Sequence, residues 1–353
     1  MKKIICILVI IFIIFLISFL FVTRKIEIHI PTNKVCNLYS GKIGESDIDT
    51  IWCGTFQIAW NELINKIGKE IEFESYDSEF VQKLNEQSFK KDMLSEQSYI
   101  LKVDKTSPDL KKEIEKETKE KFGNYRNSIF DNFQFKRTNG ITIYTALYKK
   151  FNFLEEFDIM KNMNFGNTDK KVKCFGIDKE SDETLYKNLE VTYYEWNEDT
   201  WEYIIRLKTK ENEEIILAKL REENDFNEMY NNIIELESTY EDSNEFRKDD
   251  ILIIPYIKLN CLINYEELCG KEIKESDGLF IVNAIQSIEF SMNPKGGELF
   301  SQASMQTDSL SAPPMKARKL NFCEPCYLFI KEKDKEKPYF AVKVDTKFVE
   351  TIN

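Results

Sequence analysis

A 21-residue connection near the C-terminus, residues 294–314 (PKGGELFSQASMQTDSLSAPP), constrains the fold more than any other stretch. It is flanked by GLFIVNAIQSIEFSMN (278–293) and LNFCEPCYLFI (320–330), both rich in β-branched and aromatic residues and both predicted as strands. A polar connection this long inside a compact domain is functional or disordered rather than a simple turn. Residues 299–307 contain no proline, no glycine and no charge, so this part of the connection is itself able to lie in a β-sheet.

The rest of the chain supplies ample core. At 353 residues, with 42% apolar and 13% aromatic side chains, it suits one large domain or two ordinary ones. Its formal charge is −12, and without residues 1–25, which carry four basic and no acidic side chains, the balance is −16. Such a surface repels phosphate backbones, which argues against nucleic acid as a partner. Residues 4–22 form 19 uninterrupted uncharged positions, about 28 Å of helix and enough to cross a hydrocarbon core. No Ala-x-Ala site follows, so an uncleaved anchor is favoured over a cleaved secretory signal. Lys2 and Lys3 before the run, with Arg24 and Lys25 after it, tip the remainder toward the extracytoplasmic side. The expected organisation is an anchor or signal over 1–25, a tether over 26–49 and one domain over 50–353.

Chemistry is sparse. His29 is the single histidine and falls in the tether, which argues against histidine-dependent triads and multi-histidine metal sites. GxSxG, GxxxxGK[ST] and GxGxxG are all absent, so neither an enzyme nor a cofactor is expected. The carboxylate pairs Glu155-Glu156, Glu213-Glu214, Glu222-Glu223 and Asp249-Asp250 read as solvated faces in a chain with 61 acidic residues. Eight cysteines, one of them in the apolar run, imply no small-domain disulfide framework. Cys323 and Cys326 stand as CxxC in a predicted strand, where side chains three apart point to opposite faces, so core packing is the reading.

Periodicity outlines the elements. Residues 50–68 read as a buried helix stopped by Gly68, with Cys53 as core, and 69–121 as surface helices around 80–89 and 110–122. Residues 141–148 (ITIYTALY) are apolar enough on both faces for a central strand. Further strands are predicted at 191–196, 203–208, 215–220 and 251–259, with a helix at 225–236 and a loop at 237–250. Helices first and strands after give an α+β class around a large sheet.

Several segments, in order, resemble the serpin (serine protease inhibitor) family. Asn293-Pro-Lys-Gly-Gly-Glu298 is similar to the hinge from which the last long strand runs into the reactive loop. Thr145-Ala-Leu-Tyr-Lys-Lys-Phe-Asn-Phe-Leu-Glu-Glu-Phe157 resembles the family's Asn-Ala-Ile-Tyr-Phe-Lys-Gly-x-Trp-x-x-x-Phe, with aromatic positions at Phe153 and Phe157. Residues 282–290 are like the strand leading to the hinge. Residues 321–330 resemble the strand after the loop, with Pro325 on the family proline, and 339–344 resemble the closing strand.

The resemblance implies a serpin-like α+β fold with a large mixed sheet, smaller sheets, surrounding helices and an exposed reactive loop. It implies a metastable, monomeric, non-enzymatic inhibitor without cofactor, whose loop is cut by a target serine or cysteine protease and inserts into the main sheet as a strand. Family loop length puts the bait bond at Leu310-Ser311, suiting chymotrypsin- or subtilisin-like proteases; Met315, Lys316 and Arg318 are alternatives, and a basic bait would suit trypsin-like enzymes. The hinge is Gly296, Gly297, Glu298, Leu299 and Phe300, and Thr145 with Gln286 replaces the family's polar pair where the strands part. Alternation predicts Gly297, Leu299, Ser301, Ala303, Met305 and Thr307 facing the core on insertion, all uncharged. Leu299-Phe300 stands where the family has small alanines, which leaves a non-inhibitory surface binding or structural module as the second reading.

Overall fold

The computed structural model describes residues 39, 50–122, 133, 135–136, 138–196, 201–298 and 317–352. The chain enters through β1 (Ile51–Cys53) and turns at Gly54 into α1 (Thr55–Ile67), which ends on Gly68 at φ 82°, a left-handed cap that favours glycine. There follow α2 (Glu79–Asn85), β2 (Tyr99–Lys105), α3 (Pro108–Phe122), β3 (Ile141–Leu147), β4 (Lys150–Asn152), β5 (Asp158–Asn164) and β6 (Lys171–Ile177). A meander of β7 (Leu189–Trp196), β8 (Trp201–Lys208) and β9 (Glu213–Lys219) leads to α4 (Phe226–Thr239), capped by the Asp225 carboxylate, which accepts from the Glu228 N–H. The last third contains β10 (Ile251–Pro255), β11 (Ile257–Asn264), β12 (Ile281–Asn293), β13 (Gly296–Glu298), β14 (Lys319–Asn321), β15 (Cys326–Glu332) and β16 (Phe340–Val344).

These strands make three sheets. The main one runs β2-β3-β12-β13-β4, with β11 paired along the other edge of β12; β3 and β12 are parallel and the other pairs antiparallel. A second has the order β1-β16-β15-β9-β8-β7, and a third β14-β10-β6-β5. All seven residues of β3 are buried. One face, with Ile141, Ile143 and Leu147, belongs to the principal core together with Phe56, Ala59 and Trp60 of α1. The other face, with Tyr144 and Ala146, packs under Leu110 and Ile114 of α3 and beside Ile285. Burial on both faces is why this strand lacks polar alternation.

The α+β class and the double-sided central strand agree with expectation; several boundaries do not. Residues 51–53 are a strand rather than the start of the helix: Ile51, Trp52 and Cys53 pair with Val342, Ala341 and Phe340. Three consecutive buried residues ahead of an amphipathic helix carry no period of their own. The 69–121 region contains β2, registered against the whole of β3 and hidden in sequence by its charged edge residues. Residues 251–259 split at Tyr256 into strands of two different sheets, as do 320–330 between Asn321 and Cys326. β5 and β6 were not anticipated. Tyr39, expected in a tether, is buried, with its ring centroid 4.6 Å from that of Trp52 and its carbonyl accepting from Asn227. Two carboxylates read as solvated, Glu213 and Asp250, are buried. The apolar run 4–22 and His29 lie outside the described residues; among the described residues no helix is long and apolar enough to cross a membrane.

Candidate functional site: a strand root between two parted strands

β12 ends at Asn293, where the side-chain carbonyl accepts from the Lys295 N–H at 3.0 Å and tightens the turn. Two further bonds pin that turn: Phe157 N–H donates to the Pro294 carbonyl and Phe153 N–H to the Lys295 carbonyl, each at 2.9 Å. The two phenylalanine rings are buried and meet edge to face with centroids 4.8 Å apart. The aromatic spacing visible in the sequence therefore positions the backbone that holds the turn.

The chain then folds back as β13, hydrogen-bonded on both sides. Gly296, Gly297 and Glu298 stand opposite Asn293, Met292 and Ser291 of β12, and opposite Asn152, Phe151 and Lys150 of β4. Both glycines are required. A Cβ on Gly296, whose φ is 149°, would lie 2.1 Å from the Phe151 carbonyl oxygen, and one on Gly297 would lie 2.1 Å from the Phe151 ring. The Cβ direction of Gly297 thus points into the core, as the alternation required. Leu299, Phe300, Leu310 and Ser311 lie outside the described residues.

Past β13 the sheet closes. Ile143, Tyr144, Thr145 and Ala146 of β3 pair with Ala284, Ile285, Gln286 and Ser287 of β12. Thr145 and Gln286 are thus in register, but a third residue joins them. Gln286 Nε2 donates to Thr55 Oγ1 at 2.9 Å and to the Cys53 carbonyl at 3.0 Å, while Thr55 Oγ1 donates to Thr145 Oγ1 at 3.4 Å. Tyr265 OH donates to Gln286 Oε1 at 2.8 Å. Every member is buried, so the network is satisfied from the start of α1 and from Tyr265, the residue after β11, as well as from the sheet. Thr55 and Tyr265 were missed by sequence reasoning, although a hydroxyl in the first turn of a helix just after a predicted core stretch was a usable signal. Burial pushes the Cys53 thiol up to about 11, which agrees with a core role.

Between these two regions lies a buried ion cluster. Lys149 Nζ donates to Glu213 Oε1 at 2.5 Å and Glu332 Oε1 at 2.6 Å, and sits 5.3 Å from the Tyr339 ring centroid. Burial works against ionisation of Glu332, but the bonds from Lys149 and Ser95 outweigh it and hold the carboxyl below its ordinary value.

The described chain resumes at Ala317, and its root is fixed by Arg318, only 2% exposed. The Arg318 guanidinium donates to Asp250 Oδ2 from Nε at 2.9 Å and Nη2 at 2.7 Å, and reaches the Ser243 and Glu245 carbonyls, while its backbone N–H donates to Asp250 Oδ1. A side chain held this way is not presented to a protease, which removes Arg318 from the candidate bait residues. Asp250→Ala leaves that guanidinium buried without its partner. The expected cost is about 3–5 kcal/mol of unfolding free energy, read as a lower urea midpoint with an unchanged slope.

By sequence the chain matches no protein-family model and no curated protein. By structure it is similar to maspin, with TM-score 0.51 and 12% identity over 86% of this chain and 91% of maspin. A structure described as a tumour-suppressing serpin gives TM-score 0.53 and 12% identity over 83% of this chain and 91% of the other. Human glycosylated kallistatin gives 0.51 and 11% over 84% and 91%. At such identities the likeness is one of fold, and the fold is the serpin fold.

Proposed function

We propose that this serpin-fold chain is a suicide-substrate inhibitor of a serine or cysteine protease, with its bait bond near Leu310-Ser311. The observation that carries the reading is β13. Three residues of the hinge already form a strand between β4 and β12, while immediately below it β3 and β12 are still joined to each other. A cut loop continuing in the same register would run down that seam.

The register makes the proposal specific. Gly297 stands opposite both Met292 and Phe151, so stepping along both neighbours brings Leu299 opposite Phe290 and Lys149, and Ala303 opposite Gln286 and Thr145. Those last two residues are at present paired directly, so the inserted strand would separate them at a single shared position. The small Ala303 suits a position between two polar side chains. Leu299 must pass beside the half-buried Lys149, which makes the first step the most demanding one. That step is also the observation favouring the second reading, a serpin-fold binding module in which insertion stalls after Glu298.

Leu310 as bait supports a target that accepts a large apolar side chain, of chymotrypsin or subtilisin type. The run 4–22 supports tethering of the domain to a membrane on its extracytoplasmic side. Incubation with such proteases and denaturing electrophoresis tests the proposal. The expected result is a detergent-resistant band at the summed mass of protein and protease; cleavage near Leu310 without such a band supports the binding module instead.

A further inference from the structure

We infer that Cys174 and Cys323 are a disulfide-forming pair that fastens the turn after β14 to β6. They are 149 residues apart in sequence, and their sulfurs lie 3.1 Å from each other in the core, about 1 Å beyond the bonded distance. Sequence spacing gave no hint of this, because it drew attention to the neighbouring Cys326 instead.

The backbone on both sides is firmly placed. Cys174 lies in β6 opposite Pro255 of β10. Phe322 N–H donates to the Ile253 carbonyl of the same strand at 2.8 Å, Cys323 N–H donates to Asn321 Oδ1 at 3.0 Å, and Gly166 N–H donates to the Cys323 carbonyl at 2.7 Å. The meeting of the two sulfurs is thus set by sheet register. Cys326 does not compete: it opens β15, and its Sγ is turned to the Phe322 carbonyl at 3.8 Å. Cys53 is bonded to Thr55 and Cys269 to the Tyr265 carbonyl. The two sulfurs are hydrogen-bonded to each other, and that contact lowers the Cys174 thiol from its ordinary value.

The oxidant is a low-molecular-weight disulfide, RS–SR. The thiolate of one cysteine of the pair, its proton passed to water, attacks one of the RS–SR sulfurs, the RS–SR bond breaks, and one RS⁻ leaves and takes up a proton. The thiolate of the other cysteine, its proton likewise passed to water, then attacks the cysteine sulfur of the mixed disulfide and expels the second RS⁻, which is protonated in turn. Two cysteine thiols have lost two electrons and two protons, and RS–SR has become two RSH. Because both sulfurs are buried, exchange takes place during folding, before β14 and β6 close over them. The bond braces the short edge strand β14 independently of whether the chain inhibits a protease.

The test uses the full-length protein, refolded with glutathione disulfide or with dithiothreitol. Thiols are blocked by alkylation in denaturant, the chain is digested without reduction, and the peptides are read by mass spectrometry. The oxidised sample is expected to contain one linked pair carrying Cys174 and Cys323, lighter by two hydrogens than the separate peptides and lost on reduction. It should also melt several degrees above the reduced form. Cys326→Ser keeps both signals and Cys174→Ser removes both; should Cys174→Ser fail to fold, the linkage in the unaltered chain decides alone. Alkylation of both residues in the oxidised sample, a Cys323–Cys326 link, or glutathione adducts without a linked pair would each overturn the inference.

Discussion

On the proposed mechanism, Ala303→Glu is expected to turn the protein from an inhibitor into a substrate: the target protease still cuts the loop, but the covalent complex falls by more than a hundredfold. In the inserted strand this position lies between Thr145 and Gln286, whose side chains already satisfy one another through Thr55 and Tyr265 in a buried network. No cation among the residues of that network is available to a carboxylate. Burying an unpaired charge there costs about 3 kcal/mol or more, and each 1.4 kcal/mol is about a factor of ten in the partition between trapping and release. In the intact chain Thr145 and Gln286 pair with each other directly, so folding stability should change little. Ala303→Ser is the matched control, because it keeps a small side chain at the same position and brings no charge. Measuring the ratio of complex to cleaved product for both variants checks the buried setting as well as the mechanism. Equal loss in the two would mean that any change at this position disturbs protease recognition.

How far the sequence led can be judged residue by residue. Gly296 and Gly297 were legible as a hinge only through the resemblance of 293–298 to the family motif, and the structure adds a reason for glycine there in the approach of the Phe151 carbonyl and ring. Phe153 and Phe157 were legible through the same resemblance, by the spacing of its two aromatic positions. Thr145 and Gln286 could be matched to each other from the order of motifs, but the bridging Thr55 could not, since its partners are 90 and 231 residues away. The same limit hid Cys174 from Cys323 and Asp250 from Arg318. β1 and β2 were lost for a different reason: three apolar residues before a helix, and a strand with charged edge positions, have no period that separates them from helical surroundings. Tyr39 was assigned to the tether because a single aromatic residue in a polar stretch gives no pattern at all.

The buried ions follow the same logic. Glu213 and Asp250 each belong to an acidic pair in sequence, yet each is buried against a distant cation, Lys149 or Arg318. Lys149 and Arg318 frame the segment that joins β13 to β14, one beside the exit of β13 and one at the root of β14. The segment is therefore attached at both ends to paired strands, which on the proposed mechanism stores the difference between an intact and a cut loop.

That difference is the central claim, and a thermal melt before and after a single cut between Leu299 and Lys316 tests it most directly. Once freed from Arg318, the amino-terminal portion can extend β13 along both β3 and β12, adding hydrogen bonds on two edges and burying Leu299 and Met305. The cut protein should melt higher than the intact one, on the order of 10 °C for a domain of this size, with the Ala303→Glu variant showing no such rise. A cut form that melts at or below the intact temperature would contradict the account.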